Sequence, residues 1–335
     1  MDNFFSLTPE VILNSTENAL GSKATGIRAT GYILPLNSVE NRVIEIGLED
    51  ESFVVAKFYR PGRWTKEQIL EEHQFLLKLS AAEIPVICPL TLSNSLSPTL
   101  GQTPNGIYFT LFPKVKGRLL DELDDSQIRQ VGRYLARIHM IGETQLNSKR
   151  KKIDIENYLN IPLKQIKESK FIDPHSFQYF ENICLKIKKL IEPKMLSVKN
   201  QIVHGDCHSG NILWRVDGQC FFLDFDDMVI APPMQDIWMI IRGRDEKDQK
   251  STRELISAYE IFKEFSLNNL SLKEPLRALR QIHYSAWILN HFEDPSFPKM
   301  FPDFGSKNYW QGEVESLSET LQIIEQSFNF SNHLS

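Results

Sequence analysis

The chain has 335 residues, of which 41% are hydrophobic and 24% charged, and its formal net charge is −5 at pH 7. This composition excludes a disordered chain. The net negative charge excludes a generally basic surface for binding nucleic acid or an anionic membrane, although it is compatible with a local basic patch. The length suits one large domain or two lobes.

The N-terminal residues have no basic segment followed by a long apolar core, so they do not predict a signal peptide. No stretch of the chain approaches the roughly eighteen apolar residues of a membrane span. The cysteines show no C-x-x-C spacing. Without an export signal we therefore expect reduced thiols and a cytoplasmic protein.

The first predicted element is a helix over residues 8–20, capped by Thr8. Strands are predicted at 31–36, 42–48 and 52–59. The polar turn at 37–41 joins the first two, and it can present backbone N–H groups and the hydroxyl of Ser38 to phosphates. There is no G-x-G-x-x-G segment, and from the residues alone an ordinary hairpin turn explains the pattern as well.

Lys57 lies in the apolar strand F-V-V-A-K-F, where a lysine either extends its amino group to the surface or meets an anion. The helix predicted over 65–80 begins after Thr65 and carries Glu71 and Glu72. A strand lysine followed fifteen residues later by a helix glutamate fits the ion pair that steadies a lysine on nucleotide phosphates. The two glutamates project about 100° apart, so only one can face Lys57. The alternative is a surface lysine and two solvated glutamates.

A further strand is predicted at 106–112, followed by a crossover rich in Pro and Gly. This crossover divides the chain into an N-terminal nucleotide-clamping lobe of residues 1–112 and a C-terminal catalytic lobe of residues 113–335. Residues 292–304 contain several prolines and predict an irregular loop. The rest of the second lobe is mainly helical, with helices at 125–140, within 155–198, and at 235–242, 251–265, 275–292 and 308–330.

The segment that leads from Gln201 to Asp224 carries the chemistry. A short strand precedes Asp206, a second strand follows Asn211, the pair Asp-Gly at 217–218 predicts a hairpin turn, and a third strand ends at Asp224. Phosphoryl transfer needs one carboxylate that positions the acceptor hydroxyl and takes its proton. It also needs an amide oxygen and a second carboxylate that hold magnesium against the phosphates.

The spacing H-x-D-x-x-x-x-N, with a later Asp, fits these roles. It assigns Asp206 as the catalytic base and Asn211 and Asp224 as magnesium ligands. A purely structural hairpin is the alternative, since Asp and Asn are common in turns. The cluster of acids after the third strand argues against it, because such carboxylates repel one another unless a cation is present.

The segment H-G-D-C-H-S-G-N-I-L-W (204–214) resembles the catalytic loop of the aminoglycoside phosphotransferase and choline kinase superfamily. Within it, the pattern is most similar to the bacterial stress response kinase A family. The similarity covers most of the chain, and its further segments are P-L-N-S-V-E-N-R-V (35–43), A-K-F-Y-R-P-G-R-W-T (56–65), I-L-E-E-H-Q-F (69–75), Q-D-I-W-M (235–239) and D-P-S-F-P-K-M-F-P (294–302).

This resemblance implies an α+β, two-lobed, protein-kinase-like fold with an antiparallel-sheet N-lobe and a mainly helical C-lobe. It implies a cytoplasmic serine/threonine protein kinase of the stress response that uses ATP and Mg²⁺. It also implies that Ser38 lies at the nucleotide together with Lys57, that Glu72 rather than Glu71 pairs with Lys57, and that Asp236 braces the catalytic loop. From the start of its own apolar helix, Asp236 is further expected to cap the helix N-terminus.

The chain departs from ordinary protein kinases at three points. Gly205 replaces the Arg of H-R-D, D-F-D (224–226) replaces D-F-G, and no A-P-E segment follows. These departures favour the aminoglycoside-kinase-like branch, and they leave open whether the acceptor is a protein or a small molecule.

We expect the acceptor to be a Ser or Thr hydroxyl of a protein, including the chain itself, with no nucleic-acid or membrane partner. No coiled-coil heptads are present, so a monomer is expected. One alternative is a small-molecule hydroxyl kinase acting on an aminoglycoside-, choline- or homoserine-like substrate. The other is a non-catalytic nucleotide-binding scaffold, although such a protein need not retain the whole set Lys57, Glu72, Asp206, Asn211 and Asp224.

Overall fold

The structure is a computed structural model that describes residues 4–36, 38–145 and 147–332. Its strands, in chain order, are β1 (Ala29–Leu36), β2 (Arg42–Leu48), β3 (Phe53–Phe58), β4 (Gly101–Gln102), β5 (Tyr108–Pro113), β6 (Arg118–Leu119), β7 (Gln201–Val203), β8 (Ile212–Trp214), β9 (Cys220–Phe222) and β10 (Val229–Ala231).

The α-helices are α1 (Pro9–Leu20), α2 (Ser22–Thr25), α3 (Lys66–Ala81), α4 (Asp125–Glu143), α5 (Ile161–Glu168), α6 (Pro174–Leu196), α7 (Met234–Ile240), α8 (Glu246–Tyr259), α9 (Leu267–Leu270), α10 (Lys273–His291), α11 (Phe297–Met300) and α12 (Lys307–Asn332). A π-helical turn spans Glu156–Asn160, and 3₁₀ turns span Ser209–Asn211 and Phe225–Asp227. No helix within the described residues combines the length and the apolar character needed to cross a membrane.

The chain divides into two compact units. Unit 1 consists of Met1–Leu123, Asn147–Lys149 and His208–Met228, and unit 2 of Asp124–Leu146, Arg150–Cys207 and Val229–Ser335. The lobe boundary expected between residues 112 and 113 stays a prediction.

Unit 1 is built on a five-stranded antiparallel sheet with the order β1-β2-β3-β5-β4. Alternating residues of its central strands form the core, in which Ile46, Ala56, Phe58 and Leu111 are almost fully buried. This alternation follows from the period of two along a strand. The sheet of unit 1 is thus the antiparallel N-lobe sheet that the sequence predicts.

Helix α3 follows β3 in unit 1 and begins where the sequence indicates. The Thr65 hydroxyl accepts from the N–H of Gln68, and the Gln68 side chain accepts from the N–H of Thr65. This reciprocal capping satisfies two N–H groups that the helix itself cannot pair. The cap sets the start of the helix, and therefore the direction in which its glutamates project.

A second, three-stranded sheet in unit 1 has the order β6-β8-β9. Strands β8 and β9 form the predicted hairpin, and Gly218 in its turn has a φ of 81°, a conformation that favours glycine. Strand β7 pairs with β10 in unit 2 and not with β8. The short strands that flank residues 204–211 in sequence therefore belong to different sheets.

Unit 2 is mainly helical, as the sequence predicts. The apolar face expected on α4 is buried, with Val131, Leu135 and Ile138 fully inaccessible. Its helices agree with the predicted ones to within a few residues at most ends, and α8 lies about one and a half turns earlier than expected. The segment 292–304 is not wholly irregular, because α11 forms one helical turn within it.

We predict that Gly142→Ala destabilises the protein by about 1–3 kcal/mol, because its Cβ would overlap the carbonyl oxygen of Ile202 on β7. The control is Gly312→Ala on the exposed face of α12, where a Cβ meets nothing within 4 Å. There, alanine is expected to stabilise the helix by up to about 1 kcal/mol. Urea unfolding of the variants tests the packing of α4 on β7, and equal stability of the two alanine variants would contradict it.

Candidate active site

Lys57 lies on β3, in the interior of the sheet of unit 1, and its side chain is 5% exposed. Its amino group is 2.9 Å from Asp224 Oδ1, 3.3 Å from Asp226 Oδ1 and 3.4 Å from Glu72 Oε1. Burial by itself lowers the pKa of Lys57, but Asp224, Asp226 and Glu72 outweigh it and hold this pKa well above its ordinary value. Lys57 is therefore a permanently charged ammonium group among three carboxylates.

The structure shows which of the two candidate glutamates of α3 pairs with Lys57. Glu72 is 1% exposed and faces Lys57, while Glu71 accepts a hydrogen bond from the N–H of Lys149 at 2.9 Å. The choice of Glu72 for the ion pair is confirmed. That Lys57 and Glu72 serve a nucleotide stays a prediction.

Asn211 and Asp224 lie at the same end of the β8–β9 hairpin. The N–H of Leu223 donates to the Asn211 carbonyl at 2.9 Å, and Ile212 is the register partner of Phe222. Asp224 has a φ of 56°, a left-handed conformation in which Asp and Asn occur more often than most other residues. The backbone turn and the hairpin register thus bring together the two residues predicted to hold magnesium.

The residues present fit a magnesium–nucleotide complex better than a free metal ion. The Asp224 side chain is 53% exposed, so its carboxylate is accessible, and the Asn211 side chain supplies a neutral oxygen. In the part of the chain that the structure describes, no group of three or more His, Cys, Asp or Glu is arranged to hold a metal. Magnesium does not need such a cage, because phosphates and water complete its octahedral shell. The ligand roles of Asn211 and Asp224 stay predictions.

Asp226 belongs to the acid cluster that follows the third strand of this segment, but the sequence assigned it no role. It is 1% exposed, its Oδ2 accepts from Asn41 Nδ2 at 3.1 Å, and the same oxygen pairs with Arg63 Nη1. Arg63 also contacts the half-exposed Asp227. In the sequence, the acids of D-F-D (224–226) and the basic residues of R-P-G-R (60–63) are the signals that could have indicated this pair.

The predicted phosphate-binding turn is attached to this cluster through Asn41. Besides its bond to Asp226, Asn41 accepts from the N–H of Arg60 through Oδ1 at 3.1 Å. Ser38 lies in the same turn and is partly buried. Asn37, the first residue of the turn, lies outside the described residues. The role of Ser38 stays a prediction.

In unit 2, Asp206 follows β7 in a loop whose backbone is held by Asp236. The fully buried carboxylate of Asp236 accepts from the N–H groups of His204 and Gly205, both at 2.8 Å, and from His139 Nε2 at 2.9 Å. The expected brace is confirmed. The expectation that Asp236 caps α7 is wrong, because it is the third residue of that helix and its carboxylate points to the loop.

Gly205 has a φ of 87°, and its carbonyl accepts from Gln235 Nε2 at 2.9 Å. A side chain is strained in this left-handed conformation. The loop conformation therefore gives a physical reason for glycine at the position where H-R-D kinases have arginine.

Asp206 itself contacts a residue that no motif indicated. Its side chain is 23% exposed, and Oδ1 accepts from Arg280 Nη2 on α10 at 2.7 Å. Arg280 lies 74 residues later in the chain. Only the packing of unit 2 brings it to Asp206.

Comparisons with known proteins show the family of this chain. A model of the family described as "Phosphotransferase enzyme family" matches residues 33–270. "Stress response kinase A" of Shigella flexneri is 37% identical over 327 residues, which cover 96% of this chain and 95% of that protein. "Serine/threonine protein kinase RdoA" of Salmonella typhimurium is 36% identical over 328 residues, covering 96% and 95%.

Among solved structures, that of amicoumacin kinase with AMP-PNP, Ca²⁺ and Ami is similar, with a TM-score of 0.70. The match covers 95% of this chain and 93% of that chain at 18% identity. At this identity the likeness concerns the fold. It agrees with the α+β, kinase-like class that the sequence predicts.

We predict that Asp226→Ala lowers the free energy of unfolding by about 3–5 kcal/mol, because Arg63, Asn41 and Lys57 lose a buried carboxylate. The matched control is Asp227→Ala, whose side chain is 48% exposed and contacts the same arginine. That variant should lose about 1 kcal/mol or less. Urea titration measures the free energy of unfolding of both variants. Equal decreases would show that the burial of Asp226 does not determine how much it stabilises the fold.

Proposed function

Because the chain belongs to the phosphotransferase enzyme family, and within it is closely related to stress response kinase A, we propose that it is an ATP-dependent serine/threonine protein kinase of the stress response. The kinase chemistry is supported chiefly by one observation, the buried ammonium of Lys57 between Glu72 and the accessible Asp224. The protein acceptor is supported by the full-length similarity to a protein named as a serine/threonine kinase.

In this proposal, unit 1 binds the nucleotide. Lys57 contacts the phosphates, Glu72 keeps the ammonium in place, and Ser38 supplies a hydroxyl from the turn before β2. Magnesium, held by Asn211 and Asp224, would supply positive charge that offsets the charge of the phosphates. The half-exposed Asp224 is free to turn from Lys57 toward the metal, while the buried Glu72 remains beside the lysine.

Unit 2 supplies the catalytic base in this proposal. Asp206 orients the acceptor hydroxyl and accepts its proton late, because positioning contributes most to a loose transition state. Asp236 keeps the loop backbone in the conformation that presents Asp206. Asp236 acts here as a positioning residue, since both of its loop contacts are to backbone N–H groups.

A small-molecule hydroxyl kinase is the second candidate. It is favoured by the similarity of the fold to amicoumacin kinase, whose structure contains the compound named Ami. The nucleotide-binding and base residues are common to both candidates, so the identity of the acceptor separates them.

We predict that Asp206→Ala lowers turnover by about 10²–10⁴-fold and leaves ATP affinity within a few-fold, because the base contacts the acceptor and not the nucleotide. The control is Asp121→Ala, an exposed aspartate that precedes α4 and should retain activity. Transfer from radiolabelled ATP is measured into a generic protein, into the chain itself and into a panel of small hydroxyl compounds.

Label in protein that is lost in Asp206→Ala supports the proposal. Label only in small molecules favours the second candidate. Near-normal transfer by Asp206→Ala contradicts the assignment of the base.

A further inference from the structure

The surroundings of Asp206 in unit 2 are basic. Arg280 donates one N–H to Asp206, and its side chain is 35% exposed. A guanidinium group carries five N–H donors, and the others on Arg280 have no hydrogen-bond acceptor among the residues that the structure describes. Arg280 can therefore bind a second anion without releasing Asp206.

A second arginine lies near this pair. Arg242 follows α7, its side chain is exposed, and its Nε donates to the Met239 carbonyl at 3.2 Å. Within the described ranges, no carboxylate lies at ion-pair distance from Arg242. Burial and the charge of Arg280 lower the pKa of Arg242, and Asp206 offsets only part of this effect. Arg280 therefore pairs with Asp206, while Arg242 contributes a further positive charge without an ion pair of its own among the described residues.

The positive charge continues along the start of α10. Burial and neighbouring cations, among them Arg244, lower the pKa values of Lys273 and Arg277, although the carboxylates of Glu274 and Asp248 act in the opposite direction. Glu274 pairs with both Arg244 and Arg277. Glu274 is thus occupied by two arginines other than Arg242.

Two aromatic side chains follow Arg280 on α10. Tyr284 lies one turn after Arg280 on α10 and is 42% exposed. Its ring stacks on Trp287, with centroids 5.0 Å apart and planes at 16°. Burial raises the pKa of Tyr284, and the charges of Arg280 and Asp206 also act on it. Such a surface packs against peptide backbone and aliphatic side chains.

We propose that Arg242 and Arg280 form an anion-binding subsite beside Asp206, and that the phosphate acceptor is a Ser or Thr within an acidic peptide segment. This inference rests on the proposed protein-kinase function. Acidic side chains near the hydroxyl pair with the two arginines, and the segment packs on Tyr284 and Trp287. A polycationic acceptor is disfavoured, because it would place like charges beside both guanidinium groups.

The reaction at this subsite is an ordinary phosphoryl transfer. The bond from the acceptor Oγ to the γ-phosphorus of ATP forms, while the bond from that phosphorus to the β,γ-bridging oxygen breaks. The hydroxyl proton passes to Asp206, and ADP leaves. Arg280 stays hydrogen-bonded to Asp206 Oδ1 and binds the acceptor through its other N–H groups.

The first test compares three serine peptides that differ only in the residues flanking the serine, which are acidic in one, neutral amides in the second and basic in the third. For the full-length chain with ATP and Mg²⁺, we expect kcat/KM to be about tenfold higher for the acidic than for the neutral peptide, and lowest for the basic one. Tenfold is the effect of one charge-assisted hydrogen bond at a partly exposed site. Equal values for the three peptides would overturn the subsite.

The second test uses Arg242, which does not touch Asp206. Arg242→Gln should raise KM for the acidic peptide about tenfold, with kcat and the rate on the neutral peptide unchanged. Arg242→Glu should reverse the preference toward the basic peptide. The control is Arg253→Gln, an exposed arginine on α8 in the same unit, which should change no value more than twofold. If Arg253→Gln has the same effect as Arg242→Gln, the effect comes from the change in net charge and not from a local contact. That result would overturn the assignment of Arg242 to the subsite.

Peptide binding, followed by fluorescence polarisation with Asp206→Ala, separates this inference from the proposed function. Phosphorylation of protein that does not depend on flanking charge would overturn the subsite and leave the kinase function standing. Binding of the acidic peptide that is lost in Arg242→Gln, without transfer to any acceptor, would support the subsite and overturn the kinase function. If neither binding of the acidic peptide nor transfer to any acceptor is detected, both the subsite and the kinase function are overturned.

Discussion

The structure of unit 1 depends on the burial of one ammonium group. A lysine side chain that is 5% exposed loses almost all of its hydration, and this loss disfavours its charged form. Three carboxylates compensate for the lost hydration and favour the charged form. They come from helix α3 and from the segment after β9. The charge of Lys57 therefore fixes how β3, α3 and residues 224–226 of unit 1 pack together.

The carboxylates around Lys57 differ mainly in their exposure. Glu72 and Asp226 are almost fully buried, and each is committed to cationic partners within the fold. Asp224 is the accessible one, and its backbone has a left-handed conformation. Exposure thus separates two acids that hold the fold from one that is available to a ligand, although all three touch the same lysine.

A similar division exists in unit 2. Asp236 is buried and fully occupied by two backbone N–H groups and His139, while Asp206 is partly exposed. Because the carboxylate of Asp236 only accepts, His139 donates through Nε2, and its Nδ1 forms a hydrogen bond with the hydroxyl of Tyr259 at 3.0 Å. The loop that carries Asp206 is consequently held by a buried chain of hydrogen bonds that reaches α8.

The sequence by itself determined the first strands of unit 1, the mainly helical unit 2, the start of α3 and the β8–β9 hairpin, while the antiparallel pairing of the sheet was expected only from the family resemblance. These follow from local signals, namely strand alternation, the Thr65 cap and the Asp-Gly turn, which act between residues close in the chain. Local spacing also sufficed to place Asn211 and Asp224 together, since one hairpin carries both.

Only the tertiary structure decided which long-range partners the charged side chains have. Asp226 meets Arg63 and Asn41 across more than 160 residues of sequence, and Asp206 meets Arg280 across 74. No periodicity encodes such contacts, because they depend on how separate elements pack. The same limit explains the mistaken cap at Asp236, whose position at the start of a helix suggested a local role. Its actual partners, 31 and 32 residues earlier in the chain, are set by the packing of α7 against the loop after β7.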